Sequence, residues 1–300
     1  MFSLHDVNFD VLHSACMYKN LALHALGHSL PFDQTCALAS RHGFSGVDLD
    51  LDSLKRMAAL QSVEAVRGWF AQTGLRAGAF GLSARWHADH DDETFEQSLA
   101  QLADDARLAA ALGCSRCVTW VMPGSDALDF RQHWALATAR LRRVAAILAE
   151  HGVRLGLEFV GPLTFRARFK YDFVHTLDGA RALAAAAGAN VGLLVDSFHW
   201  HTAHGSLRDL STLSADEVVY VHVNDAVAGR TPDEQIDGER EMVGSTGVID
   251  IHGFLGALQR IGYDGPVTVE PFNQAVRAMS VEDAVRFTSE SLDRVLSALG

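Results

Sequence analysis

Two hydrophobic rhythms alternate along this chain. Short apolar runs such as Val191-Gly-Leu-Leu-Val195 lack polar alternation, the pattern of a parallel strand covered on both faces. Longer stretches bring apolar residues back every three or four positions, the pattern of an amphipathic helix. Leu21–Leu26 predicts a first strand and Pro31–His42 its helix, closed by Gly43. Gly46–Leu49 predicts a second strand. One long helix over Ser53–Thr73 follows, with Leu54, Met57, Ala58, Val63, Val66 and Phe70 on its apolar face and Gly74 as its stop. Leu75–Phe80 predicts strand three, and a helix over Glu93–Leu112 follows the loop His87–Asp92, whose Asp91 and Asp92 suit the positive helix end. Arg116–Val121 predicts strand four, and Pro123-Gly124 separates it from a helix over Phe130–Glu150. Arg154–Glu158, Val191–Asp196, Val218–His222 and Val267–Glu270 predict four more strands. Helical segments at Thr176–Ala187, Ser206–Leu213, Asp250–Ile261 and Val281–Leu299 complete the pattern.

Eight strand-then-helix units without a Pro/Ser linker predict an α/β fold built on a parallel sheet. A length of 300 residues fits one (β/α)8 barrel, which takes roughly 250 residues. The expected division is a short extension over residues 1–20 and a barrel over 21–300. Within it the last four strands to be counted end on Glu158, Asp196, His222 and Glu270. Any one of them alone reads as a helix cap or an ion-paired turn residue. A closed barrel brings all four to one rim, where three carboxylates and an imidazole suit a divalent Mn, Mg, Co or Zn ion with room left for substrate.

Composition narrows the partners. A net charge of −12 argues against a general affinity for nucleic-acid backbone and favours small-molecule work. Residues 1–20 have no basic start followed by a long apolar run, and no stretch has the apolar length of a membrane span, so the expectation is a cytoplasmic protein, free or as a homo-oligomer. Cys16, Cys36, Cys114 and Cys117 are too few for a disulfide scaffold. Cys114-Ser-Arg-Cys117 has redox or zinc spacing but no second pair, which favours buried reduced thiols.

Leu157-Glu158, Val195-Asp-Ser-Phe-His199, Val221-His-Val-Asn-Asp225, Val269-Glu-Pro271 and the Gly244-Ser-Thr-Gly-Val-Ile-Asp250 stretch carry a resemblance in this order. The chain resembles the xylose-isomerase-like TIM-barrel family of sugar isomerases and epimerases, from about Leu21 to Leu299. The resemblance implies that Glu158, Asp196, His222 and Glu270 hold one divalent metal and that Glu158 and Glu270 double as the catalytic acid/base pair. His199 is then expected to touch a substrate oxygen. Arg230 lies near where relatives place a substrate-contacting arginine, although that spacing varies and a solvated loop arginine is its other reading. The implied substrate is a sugar, a sugar phosphate or a cyclic polyol. Epimerisation, isomerisation and inosose-type dehydration share a first step, proton removal beside a metal-bound carbonyl, and the motifs do not separate them.

Other readings fit less well. An endonuclease IV-like nuclease shares the barrel, but Gly238 and Arg240 stand where its further metal ligands are expected. A sugar-binding barrel without chemistry has little use for four such strand ends. His201 and His204 have helical zinc spacing but no partner ligands nearby, which favours solvated or capping roles. Trp120 falls near the rim, as a substrate wall or as core. Thr164-Phe-Arg-Ala-Arg-Phe-Lys170 is the densest cationic stretch near the proposed chemistry. Arg166 and Arg168 there suit a lid over an anionic or polyhydroxylated substrate, or a solvated surface loop.

Overall fold

The computed structural model describes residues 17–299, so Cys16 and nearly all of the expected N-terminal extension lie outside the described residues. Eight parallel strands can be followed: β1 (Tyr18–Leu21), β2 (Gly46–Val47), β3 (two halves, Arg76–Ala77 and Phe80–Gly81), β4 (Arg116–Val121), β5 (Arg154–Phe159), β6 (Val191–Asp196), β7 (Val218–Val223) and β8 (Pro266–Val269). They are hydrogen-bonded in the order β3-β2-β1-β8-β7-β6-β5-β4, with the first half of β3 on β2 and its second half on β4. Both halves belong to one strand interrupted at Gly78-Ala79, so the sheet closes on itself as a (β/α)8 barrel. A Cβ on Gly78 would collide with the side chains of Asn20 and Asp48, which is why the interruption falls on a glycine.

Helices pack outside with their apolar stripes inward. Every residue of β7 is buried, as expected of a strand covered on both faces. No helix among the described residues is long and apolar enough to cross a membrane. Cys36, Cys114 and Cys117 are buried and unpaired, and burial pushes the Cys36 and Cys114 thiols up to about 12, so the reduced-thiol reading of these three holds.

Three expected elements differ. The first strand lies earlier, at Tyr18–Leu21, and Leu23–Leu26 is a 3₁₀ turn ended by Gly27 in the left-handed region. Its polar residues hide it: Lys19 reaches Ser289 and Asp293, while Asn20 points into the barrel. The long helix is two, Leu51–Leu60 and Val63–Gln72, because Asp50 and Ser62 each cap a new start through the backbone N–H of Ser53 and Ala65. The loop after β5 is partly ordered, with a helical turn at Leu163–Arg166 and a two-residue pairing of Tyr171–Asp172 against Gly124–Ser125.

Inside the barrel Asn20, Asp48, Tyr220 and Thr268 form a hydrogen-bonded floor. Asn20 donates to Asp48 (2.8 Å), Tyr220 (2.8 Å) and Thr268 (3.0 Å), and the Tyr220 hydroxyl donates to Asp48 (2.7 Å). Tyr220 and Thr268 stand two residues before His222 and Glu270, on β7 and on β8, which Glu270 directly follows. The period of two therefore aims all four inward and puts His222 and Glu270 directly above the floor.

Candidate metal centre

Glu158 on β5, Asp196 at the end of β6, His222 on β7 and Glu270 just after β8 converge at the barrel's C-terminal rim. One ligand atom from each lies within 4.8 Å of all the others. His222 Nδ1 is 3.1 Å from Glu158 Oε1, 3.5 Å from Glu270 Oε2 and 3.8 Å from Asp196 Oδ2. Asp196 also caps the short helix Ser197–Thr202, accepting from the N–H groups of Phe198 (2.6 Å) and His199 (3.0 Å). That cap fixes the carboxylate and turns His199 towards the centre.

Two further side chains hold the cluster. Asn224, fully buried, donates to Asp196 Oδ2 (3.1 Å) and accepts from Ser197 Oγ (3.0 Å). Arg240, 1% exposed, donates from one nitrogen to Asp196 (3.0 Å) and Glu270 (2.9 Å), and from the other to Asp237 (2.8 Å), with His199 Nε2 at 3.1 Å. Its guanidinium lies between the rings of Phe198 and Phe272, at 4.9 and 4.6 Å from their centroids. Phe272 adopts φ +38° to take that position, a strained conformation for a bulky residue. Arg240 was legible in sequence only as a residue that cannot bind a metal. Its partners come from three separate segments, which no local pattern displays.

Electrostatics shows what the cluster accepts. Burial alone would lower the His222 pKa, yet Glu270, Glu158 and Asp196 together raise it to about 10. Burial drives Glu270 up to about 7, against the pull of His222 and Arg240. For Asp196 burial is outweighed by Arg240, His199 and His222, and its pKa falls. The centre thus draws positive charge. With the ion in place of the His222 proton, three carboxylates set against one buried guanidinium balance a divalent cation, leaving aside the partly exposed Asp237, and the mixed oxygen and imidazole donors suit such an ion.

The other sequence candidates are distributed as follows. Trp120 is the register partner of Glu158 on the neighbouring strand, and at 40% exposed it is rim rather than core. Its ring lies 5.1 Å from that of His87, which hydrogen-bonds the Trp120 carbonyl (3.0 Å). Arg230 is paired with Glu239 (2.7 Å) instead of joining the four-residue cluster. Arg168 is exposed and donates to the Thr164 carbonyl (3.2 Å), while Arg166 Nε is buried without a partner among the described residues. His201 lies within Ser197–Thr202, but His204 is beyond it at φ +58° and binds Asp233 (2.8 Å), so the two share no helix face.

A (β/α)8 barrel with a buried carboxylate and imidazole cluster at its C-terminal rim is the class that these features define. The chain belongs to the xylose isomerase-like TIM barrel family, which it matches over residues 36–293. It is 23% identical to an inosose isomerase of Bacillus velezensis over 88% of this chain and 91% of that protein. An inosose isomerase of Bacillus licheniformis is 32% identical over 52% of this chain and 54% of its own length. A 3-dehydroshikimate dehydratase of Pseudomonas aeruginosa is 30% identical over 87% of this chain, but the match spans only 39% of that protein. Among solved structures, a xylose isomerase domain protein from Alicyclobacillus acidocaldarius superposes with a TM-score of 0.85 at 30% identity, over 95% of this chain and 99% of that one. The IOLI protein, crystallised with a zinc atom, has the same fold, with a TM-score of 0.80 at 19% identity over 95% and 99% of the two chains. Named relatives of this chain are thus isomerases, epimerases and dehydratases.

Proposed function

We propose that this protein is a divalent-metal-dependent isomerase or epimerase of a small polyhydroxylated carbonyl compound, working by proton transfer at the carbon beside the carbonyl. The observation that carries this reading is the convergence of Glu158, Asp196, His222 and Glu270 at one rim. Those four residues would hold the ion, with Mn, Mg, Co and Zn all compatible with their donors. Such an ion, when bound, supplies Lewis-acid polarisation of a carbonyl and acidifies the C–H next to it.

The chain's own residues carry the rest. Glu158 on β5 and Glu270 just after β8 both face His222, at 3.1 and 3.5 Å. A reacting carbon between them has a carboxylate on each side, so one removes a proton and the other returns it. Arg240 holds Glu270 and Asp196 and restrains their rotation, and His199, braced by Arg240, offers an imidazole to a substrate oxygen. Trp120 and His87 supply an aromatic edge at the mouth, against which a sugar or cyclic polyol ring can lie.

Dehydration of a cyclic polyol or related keto acid is the second reading, favoured by the 30% identity to the dehydratase. It uses the same first proton abstraction and adds loss of a hydroxyl. A nuclease reading is disfavoured because Arg240 puts a cation next to Asp196 and Glu270 where further metal ligands would be required.

Ketoses, sugar phosphates and inososes assayed with added Mn²⁺ or Co²⁺ in D₂O test the proposal. Solvent deuterium should enter the product, and Glu158→Gln or Glu270→Gln should each cost orders of magnitude in turnover. Turnover with no exchange would replace proton transfer by a direct hydride shift.

A further inference from the structure

The opposite end of the barrel carries a second charged feature, of the other sign. Arg76, Arg116 and Arg154 are the first residues of β3, β4 and β5, so all three lie on the N-terminal face, away from the candidate metal centre. A cavity of about 620 Å³ opens there, and Arg67, Arg76 and Arg116 line it together with Tyr18 and one acid, Asp264. The chain carries 37 acidic residues against 25 basic ones, so a cavity lined by three arginines and one acid runs against its overall charge. Among the described residues, the side chains of Arg67, Arg76 and Arg116 make neither an ion pair nor a hydrogen bond. Arg76 lies only over the Tyr18 ring, at 4.7 Å.

Like charges are concentrated rather than dispersed. Arg116 and Arg154 are register partners on adjacent strands, an arrangement that destabilises a sheet when both are cations. Arg154 is relieved by the Asp216 carbonyl, whereas Arg116 finds no acceptor among the described residues. A purely structural role would be to satisfy carbonyls at the helix C-termini that end near Leu112, and no hydrogen bond of that kind is made. A barrel's N-terminal face ordinarily serves stability, and a concave, cation-rich site on it has the shape and charge to receive an anion.

We propose that this cavity binds a small multivalent oxyanion of the phosphate type, held by the guanidinium groups of Arg67, Arg76 and Arg116. Planar, charge-assisted donors lining one cavity from one helix and two strand starts suit an oxygen-rich anion, and the concave shape suits a small molecule. Because the site is on the far face, its occupancy adds stability to the barrel without competing for the metal centre.

Titration calorimetry with inorganic phosphate and with pyrophosphate, at matched ionic strength in chloride, tests this. Saturable binding of one equivalent should weaken at least tenfold in Arg76→Gln and in Arg116→Gln, persist in Arg76→Lys more than in Arg76→Gln, and survive His222→Ala. Without added anion, Arg116→Gln should unfold at the same denaturant concentration as the parent protein or a higher one, because repulsion from Arg154 is removed. A structural role for the arginine would lower it. Absence of saturable binding, binding indifferent to the arginine substitutions, or binding abolished by His222→Ala would each overturn the proposal.

Discussion

Arg240 bridges Asp196 and Glu270 with a single guanidinium nitrogen, at 3.0 and 2.9 Å. Two ligands of the candidate centre, from β6 and from the segment after β8, are therefore fixed relative to one another by a cation that is itself buried. The pair costs desolvation to assemble, and its value lies in holding two carboxylates that would otherwise repel.

Arg240→Met should consequently destabilise the metal-free protein by about 3–5 kcal/mol, the usual cost of leaving buried charge uncompensated. The loss should shrink when a divalent ion is present, because the ion supplies the missing positive charge. Denaturant unfolding of both proteins with EDTA and with Mn²⁺ measures the two gaps. Equal gaps would show that Arg240 is not electrically coupled to the centre.

Metal linkage gives a second expectation. If Glu158, Asp196, His222 and Glu270 bind the ion in the folded state alone, a free-ion concentration 100 times Kd stabilises the protein by about 2.7 kcal/mol. EDTA should remove that increment, and His222→Ala should unfold at the same midpoint with or without metal and lose bound metal on dialysis. Retention of full metal content by His222→Ala would exclude the imidazole as a ligand.

Much of this site was legible because apolar runs stop abruptly on charge. Val195 followed by Asp196, or Val269 followed by Glu270, marks a strand end without any knowledge of its neighbours. What could not be read is what depends on distant segments. Asn20 is polar because it serves the barrel floor, so β1 lacked its apolar signature. The helix expected over Ser53–Thr73 kept its apolar period across a break, but Leu60, 86% exposed, and Val63, 37% exposed, never reach the core. The place of Val63 in the expected stripe concealed the cap that Ser62 provides. Asn224 lies within Val221-His-Val-Asn-Asp225 without its function showing there, since its partners Asp196 and Ser197 come from another strand end.

A buried histidine outside the four-residue cluster predicts how stability responds to acid. His133 stacks on Phe173 with ring centroids 3.8 Å apart, and burial lowers its pKa from 6.5 to about 4, helped by repulsion from His87. Its folded-state pKa is depressed, so the unfolded chain takes up a proton first. Stability is full above about pH 6.5 and declines as pH falls towards 4. By pH 4.5 the loss should be on the order of 2 kcal/mol. His133→Phe keeps the stacked ring and removes the proton site. The gap between its unfolding midpoints at pH 7.5 and 4.5 should be smaller than in the parent protein, and an unchanged gap would assign the acid response to other groups.

The cationic loop after β5 separates its two arginines, and so separates their expected roles. Thr164 donates to the Gln235 carbonyl (2.7 Å), the Lys170 N–H donates to Asp126 (2.9 Å), and Phe169 packs where Gly124 leaves room, so the loop is tied down at several points. Arg168 is spent on the exposed surface, bonded to Thr164 and lying over Phe165 at 5.6 Å. Arg166 Nε is enclosed and has no acceptor among the described residues, an arrangement that a substrate oxygen would satisfy. Once a substrate is identified, Arg166→Ala should raise KM about tenfold, the equivalent of one hydrogen bond to a charged group, with metal content unchanged. Arg168→Ala should leave KM within about twofold, as a surface contact would. Equal effects would return both residues to a common role, and no effect of Arg166→Ala with any active substrate would remove this loop from substrate binding.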